Sequence, residues 1–151
     1  AVRQKKIAVI SAMKEKQRLA VAKQNADFKT EMAKTYPNAV QTESGLMYEV
    51  TKEGNGVYPQ AGETVEVHYT GYFTDGKKFD SSVDRKQTFK FILKKGQVIK
   101  GWDEGIGYIS IGGTAKLIIP YWLAYGEAGR SSIPPKATLI FDVELFSSKK
   151  V

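Results

Sequence analysis

The first 34 residues contain neither glycine nor proline, and Tyr36-Pro37-Asn38 ends that run. Glycine and proline are the strongest interrupters of regular structure. A long stretch free of both, rich in Ala, Lys, Gln and Glu, predicts one long helix. Pro37 cannot extend a helix and restricts the residue before it, which sets the stop. The apolar positions (Ile7, Ile10, Met13, Leu19, Ala22, Ala26, Phe28, Met32) are only loosely spaced at three and four, and the stripe lapses from Lys14 to Arg18. No clean heptad runs through the segment, so a coiled coil has little support.

The same segment holds most of the charge. Nine Lys/Arg stand against Glu15, Asp27 and Glu31 alone, which places +6 of the chain's formal +7 in residues 1–34. A basic arm can attract nucleic acid or an acidic surface. No nucleic-acid motif accompanies it, and a solvated helix face accounts for the charge, so no nucleic-acid partner is expected. No run approaches the roughly 18–20 apolar residues of a membrane-spanning helix, so no membrane partner is expected. The apolar stretch Ile7 to Met13 is broken by Ser11 and followed at once by Lys14, Glu15 and Lys16, unlike a signal peptide. The chain begins with Ala1, which fits processing or excision from a longer protein, with residues 1–38 as an arm or a linker. The 42% apolar and 26% charged content is that of a soluble globular protein. Cysteine is absent, which excludes disulfides, thiol catalysis and cysteine-ligated metals.

After Asn38 the pattern changes to strands. Leu46 to Val50 reads as one, followed by the turn-prone Gly54-Asn55-Gly56. Thr64 to Tyr69 alternates, with Val65, Val67 and Tyr69 on one face. Asp75-Gly76 is a turn signal. Thr88 to Leu93, Thr114 to Ile119 and Ala137 to Phe146 follow. Between the third and fourth of these strands, Gly101 to Tyr108 suits a short helix, with Asp103 and Glu104 near its positive end. Five strands and one short helix make an antiparallel α+β domain.

The usual catalytic apparatus is missing. His68 is the one histidine and sits within an alternating strand, where a structural hydrogen bond is expected of it. No triad, metal site or phosphate loop can be assembled. Asp103 and Glu104 are adjacent, and neighbours on a helix do not face one site. What stands out is a set of aromatic and polar residues: Tyr69, Phe79, Asp80, Phe89, Phe91, Trp102, Tyr125 and Phe141. Each alone reads as core. Tyr, Trp and Asp carry polar groups that a core must satisfy, and several together point to a pocket with an apolar floor and a polar rim.

Val67-His68-Tyr69-Thr70-Gly71, Asp75-Gly76-Lys77-Lys78-Phe79-Asp80-Ser81-Ser82 and Val98-Ile99-Lys100-Gly101-Trp102-Asp103-Glu104-Gly105 resemble three successive signatures of the FKBP family of peptidyl-prolyl cis-trans isomerases. Ala124-Tyr125-Gly126, Ile133-Pro134-Pro135 and Ala137 to Leu145 complete the likeness over about two-thirds of the chain, with nearly unbroken spacing. The resemblance implies an isomerase domain over residues 45–149 behind a basic helical extension, residues 1–38. Its fold would be a five- or six-stranded antiparallel sheet wrapped around a short central helix. Trp102 would form a pocket floor, and Tyr69, Phe79, Phe89, Val98, Ile99 and Phe141 the walls. Asp80 and Tyr125 would supply polar contacts, and the Ile99 amide would bind a ligand carbonyl. Arg85 would buttress Asp80 and Tyr69, and Ile133 would lie on a mobile loop above. The loop Glu127 to Ser132 is one residue shorter than in the best-known small members, with Arg130 where histidine is common.

The implied activity is rotation about Xaa-Pro bonds in peptides and folding proteins, with Asp80, Tyr125, Phe79 and Trp102 as catalytic residues. No cofactor is implied. Macrolides such as tacrolimus or rapamycin are the expected inhibitors, and the bacterial cytoplasm or periplasm the expected compartment. One alternative is a binding module or chaperone with little turnover. Another gives the helix the main role, as a homodimer arm or a client-holding segment.

Overall fold

The structure, a computed structural model, describes residues 2–130 and 132–150, with side chains from residue 15 onward. The side chains of Ile7, Ile10 and Met13, and Ser131 of the 127–132 loop, lie outside the described residues. The chain divides into two units, Ala1–Pro37 and Asn38–Val151.

The first unit is the expected helix, α1 (Val2–Ala33). It ends in a turn in which the amides of Thr35 and Tyr36 both donate to the Met32 carbonyl, just before Pro37. Its apolar residues do not gather on one face. Exposed pairs such as Arg18–Glu15 and Lys34–Glu31 lie three residues apart along it and contribute at most about 0.5 kcal/mol each. Among the described residues, no helix is long and apolar enough to cross a membrane.

The second unit is an antiparallel sheet with a short helix against one face. The strands are β1 (Val40–Gln41), β2 (Met47–Lys52), β3 (Thr64–Phe73), β4 (Lys78–Ser81), β5 (Phe89–Ile92), β6 (Thr114–Ile119) and β7 (Leu139–Lys149). Their order is β1-β2-β6-β7-β3-β4, and β5 also pairs with β3. All five strands read from the sequence are present. The additions are β1 and β4, of two and four residues, too short to show a period. The Asp75-Gly76 turn closes the β3–β4 hairpin, and the Asp75 carboxylate accepts the Lys77 amide.

Alternation along the long central strands sends Val65, Val67 and Tyr69 of β3 and Leu139, Phe141, Val143 and Leu145 of β7 into one core. The short helix α2 (Lys100–Gly105) completes that core with Trp102, and the one-turn 3-10 helix after it adds Ile106. Two glycines set how close α2 lies to the sheet. A Cβ on Gly101 would stand 2.6 Å from Ile119, and one on Gly105 would stand 2.9 Å from Leu117. Side chains at those positions would lift the helix off β6, and Trp102 with it.

The two acidic residues of α2 do more than meet the helix dipole. Asp103 accepts the amides of Lys94 and Gly96, pinning the loop before the helix. Glu104 accepts hydroxyls from Thr42, Ser44 and Tyr108, tying the β1–β2 turn to the helix. The Tyr108 ring also stacks on Tyr48 at 4.6 Å. Burial, then the hydrogen bond to Glu104 and its charge, push the Tyr108 hydroxyl up to about 12. A phenol raised above its unfolded value near 10 stabilises the fold fully below pH 10. That contribution is lost as pH climbs from 10 to 12. Absorbance at 295 nm should show a late-titrating tyrosine that Tyr108→Phe removes. Urea midpoints should fall less steeply between pH 10 and 12 in the variant than in the parent. Equal slopes would contradict the assignment.

Candidate active site

The cavity begins at Trp102. Its ring is 5% exposed and meets Tyr69 at 4.8 Å and Phe141 at 5.2 Å, both edge to face. Phe91 and Phe89 complete its surroundings at 5.9 and 6.0 Å. Such aromatic pairs contribute about 0.5–1.5 kcal/mol each beyond area burial. The indole N–H is buried with no hydrogen-bond partner among the described residues, a cost that the close ring packing must offset.

The walls come from strands on either side. Phe79 of β4 crosses to Phe141 of β7 at 5.6 Å and lies 4.7 Å from Phe73. Gly71 makes this crossing feasible: a Cβ there would stand 2.7 Å from the Phe79 ring and 2.8 Å from Phe141. Phe89 stands at the start of β5, and Val98 and Ile99 lead into α2. Together these surfaces enclose a cavity of about 410 Å³, in the range of small-ligand sites.

One edge is polar. The Tyr69 hydroxyl donates to Asp80 at 2.7 Å, Arg85 donates to the other Asp80 oxygen, and Arg85 also reaches the Tyr69 hydroxyl at 2.8 Å. Partial burial opposes ionisation of Asp80. Hydrogen bonds from Tyr69 and Arg85, with the Arg85 charge, outweigh it and hold the carboxyl below the usual carboxylate range. Burial and the bond to Asp80 raise the Tyr69 hydroxyl, so it stays a neutral donor at physiological pH. Tyr125 adds a second phenol, which makes no hydrogen bond among the described residues.

Of the residues expected at the pocket, Tyr69, Phe79, Asp80, Phe89, Val98, Ile99, Trp102, Tyr125 and Phe141 line the cavity, whereas Phe91 is buried behind it against Trp102, and Arg85 and Ile133 stand outside its lining. Arg85 sits behind the wall, on Asp80 and Tyr69. Ile133 is buried and faces a smaller adjoining cavity of about 210 Å³, shared with Phe79, Asp80, Tyr125 and Arg130. The backbone there is pinned: Arg130 and Ile133 exchange amide–carbonyl bonds of 2.9 and 2.6 Å. Gly96, Gln97 and Arg130 line the main cavity and were not expected to. The first two directly precede Val98, and the Gln97 side chain accepts the Ile92 amide. His68 faces away from the cavity, 2.7 Å from the Ser82 hydroxyl that also accepts the Tyr69 amide, the structural role expected of it. Among the described residues, no cluster of three or more His, Cys, Asp or Glu could hold a metal ion.

The chain is similar to known proteins. Residues 56–146 match the model of the FKBP-type peptidyl-prolyl cis-trans isomerase family. The FKBP-type peptidyl-prolyl cis-trans isomerase FkpA of Aeromonas hydrophila is 53% identical over 109 residues, which are 72% of this chain and 40% of that protein. The chain therefore spans well under two-thirds of that relative. The peptidyl-prolyl cis-trans isomerase Fkbp12 of Drosophila melanogaster is 55% identical over 61% of this chain and 87% of its own length. The crystal structure of FkpA from Escherichia coli superposes with a TM-score of 0.75 at 40% identity, covering 93% of this chain and 64% of that one. Fold, cavity and these likenesses agree: the chain belongs to the FKBP-type peptidyl-prolyl cis-trans isomerase family.

Proposed function

We propose that this chain accelerates rotation about Xaa-Pro bonds in peptides and folding proteins, with the aromatic cavity as its site. The observation that carries the reading is a cavity with aromatic floor and walls whose only carboxylate, among the described residues, is already committed to Arg85 and Tyr69. Acid–base chemistry is not needed for the reaction. The planar amide is held by resonance, with a rotation barrier of about 18–20 kcal/mol. Unassisted prolyl isomerisation takes roughly 10–100 s. Twisting the bond removes the resonance and makes the carbonyl less polar. Water favours the polar planar form, whereas a dry apolar site removes that bias and binds the twisted form relatively better.

The roles follow from position. The proline ring sits over Trp102, between Phe89, Val98, Ile99 and Phe141. The Ile99 amide holds a peptide carbonyl. The Tyr125 hydroxyl and Asp80 contact the rotating carbonyl or orient the peptide, and Phe79 closes the wall beside them. No cofactor enters this scheme. Macrolides such as tacrolimus or rapamycin would compete for the same cavity.

Trp102→Ala is a poor test, because losing so buried an aromatic costs about 3–5 kcal/mol of stability. Asp80 and Arg85 side chains are 38% and 49% exposed, so breaking that pair should cost about 1 kcal/mol or less. Asp80→Leu should lower kcat/KM about tenfold, which is roughly 1.4 kcal/mol of transition-state binding, while the melting temperature stays within a few degrees. Phe79→Tyr should act in the same direction. Parallel loss of folding and activity would make both residues core.

A second reading concerns α1. The likeness to the Escherichia coli FkpA structure takes in 93% of the chain, so it extends into the helical segment. On this reading α1 serves as a homodimer arm or holds folding clients. Sedimentation at several concentrations, with and without residues 1–38, separates the two. A mass that halves on truncation makes the segment the dimer arm. A monomer in both forms removes that role.

A further inference from the structure

Among the described residues lining the main cavity, Arg130 is the one charged side chain without an ion-pair partner. Asp80, the other charged lining residue, is neutralised by Arg85. Arg130 lines the main and the adjoining cavity alike. Its guanidinium carbon lies 5.7 Å from the Tyr125 ring centroid, a cation–π arrangement that holds it at the rim. Its backbone is fixed by the paired bonds to Ile133. Among the described residues no carboxylate lies within ion-pair distance of it, and Glu127, three residues earlier, makes no ion pair. The neighbouring lining segment carries Lys94 and Lys95 before Gly96 and Lys100 after Ile99, with the Asp103 carboxylate held on the amides of Lys94 and Gly96.

We propose that Arg130 makes this site selective for peptides bearing a carboxylate side chain next to the proline. The inference rests on the isomerase reading of the cavity. A proline ring on Trp102 leaves the flanking residue of the peptide at the rim, where Tyr125 and Arg130 stand. A glutamate or aspartate there meets a planar, fork-shaped donor already oriented by an aromatic face. An amide of the same shape gains no charge attraction, and a lysine is repelled. Arg130 is an exposed residue, so the selectivity is modest and sensitive to salt.

The test uses peptides with Glu or Gln immediately before, or immediately after, a single proline. At low salt the protein should favour Glu over Gln by about three- to fivefold in kcat/KM at one of those positions, the size an exposed ion pair supplies. The preference should vanish near 0.5 M salt. Arg130→Gln should bring the Glu-to-Gln ratio to about one, whatever loss the two peptides share, and Arg130→Glu should invert it. No Glu preference at either position, or a preference that both variants retain, overturns the assignment. If the folded protein turns over none of the peptides, the isomerase reading fails. Equilibrium binding of the same pairs then decides about Arg130, since equal Kd for Glu and Gln peptides overturns the charge selectivity and a Glu preference lost in Arg130→Gln upholds it.

Discussion

Trp102 can sit under the cavity only because α2 lies directly on β6. Gly101 and Gly105 allow that approach, each with a sheet side chain where a Cβ would be. From this contact the rest follows. The indole is held within 4.8–6.0 Å of four aromatic rings drawn from β3, β5 and β7. The strands carrying those rings are themselves fixed by the central β3–β7 ladder. Core and site are therefore one object, and the cavity is the part of the core that α2 and the loops leave uncovered.

The polar edge works by being satisfied in advance. Arg85 neutralises Asp80 and the Tyr69 hydroxyl hydrogen-bonds to both, so the carboxylate beside the apolar chamber already has its counter-ion. That arrangement suits a reaction in which polarity falls as the bond twists. Tyr125 and Arg130 stand together at the rim beside it.

Much of this was legible in the residues. Alternation through Val65-Glu66-Val67-His68-Tyr69 and from Leu139 to Leu145 placed the central strands and their inward faces. The aromatic set with Asp80 located the cavity, because Tyr, Trp and Asp cannot all be inert core. Other features left no local trace. β4 is four residues long with Phe79 its one apolar residue, and it exists as a strand because the Asp75-Gly76 turn folds it back on β3. β3 continues through Gly71, a poor strand residue, because Phe79 and Phe141 occupy the space of its missing side chain. β7 runs on through Ser147 and Ser148 by pairing with the start of β3, which no apolar pattern marks. Glu104 looked like a helix-dipole residue, and its hydroxyl partners Thr42 and Ser44 lie some sixty residues away. Arg130 also left no local trace, and the turn it shares with Ile133 brings it to the rim of the main cavity while Ile133 lines the adjoining one.

The account stands or falls on the cavity being where isomerisation happens. Turnover of a Leu-Pro or Phe-Pro peptide, titrated with rapamycin, tests that directly. The account predicts fast turnover that disappears at one equivalent of macrolide. Full turnover in the presence of bound macrolide, or neither turnover nor binding in a folded protein, would contradict it.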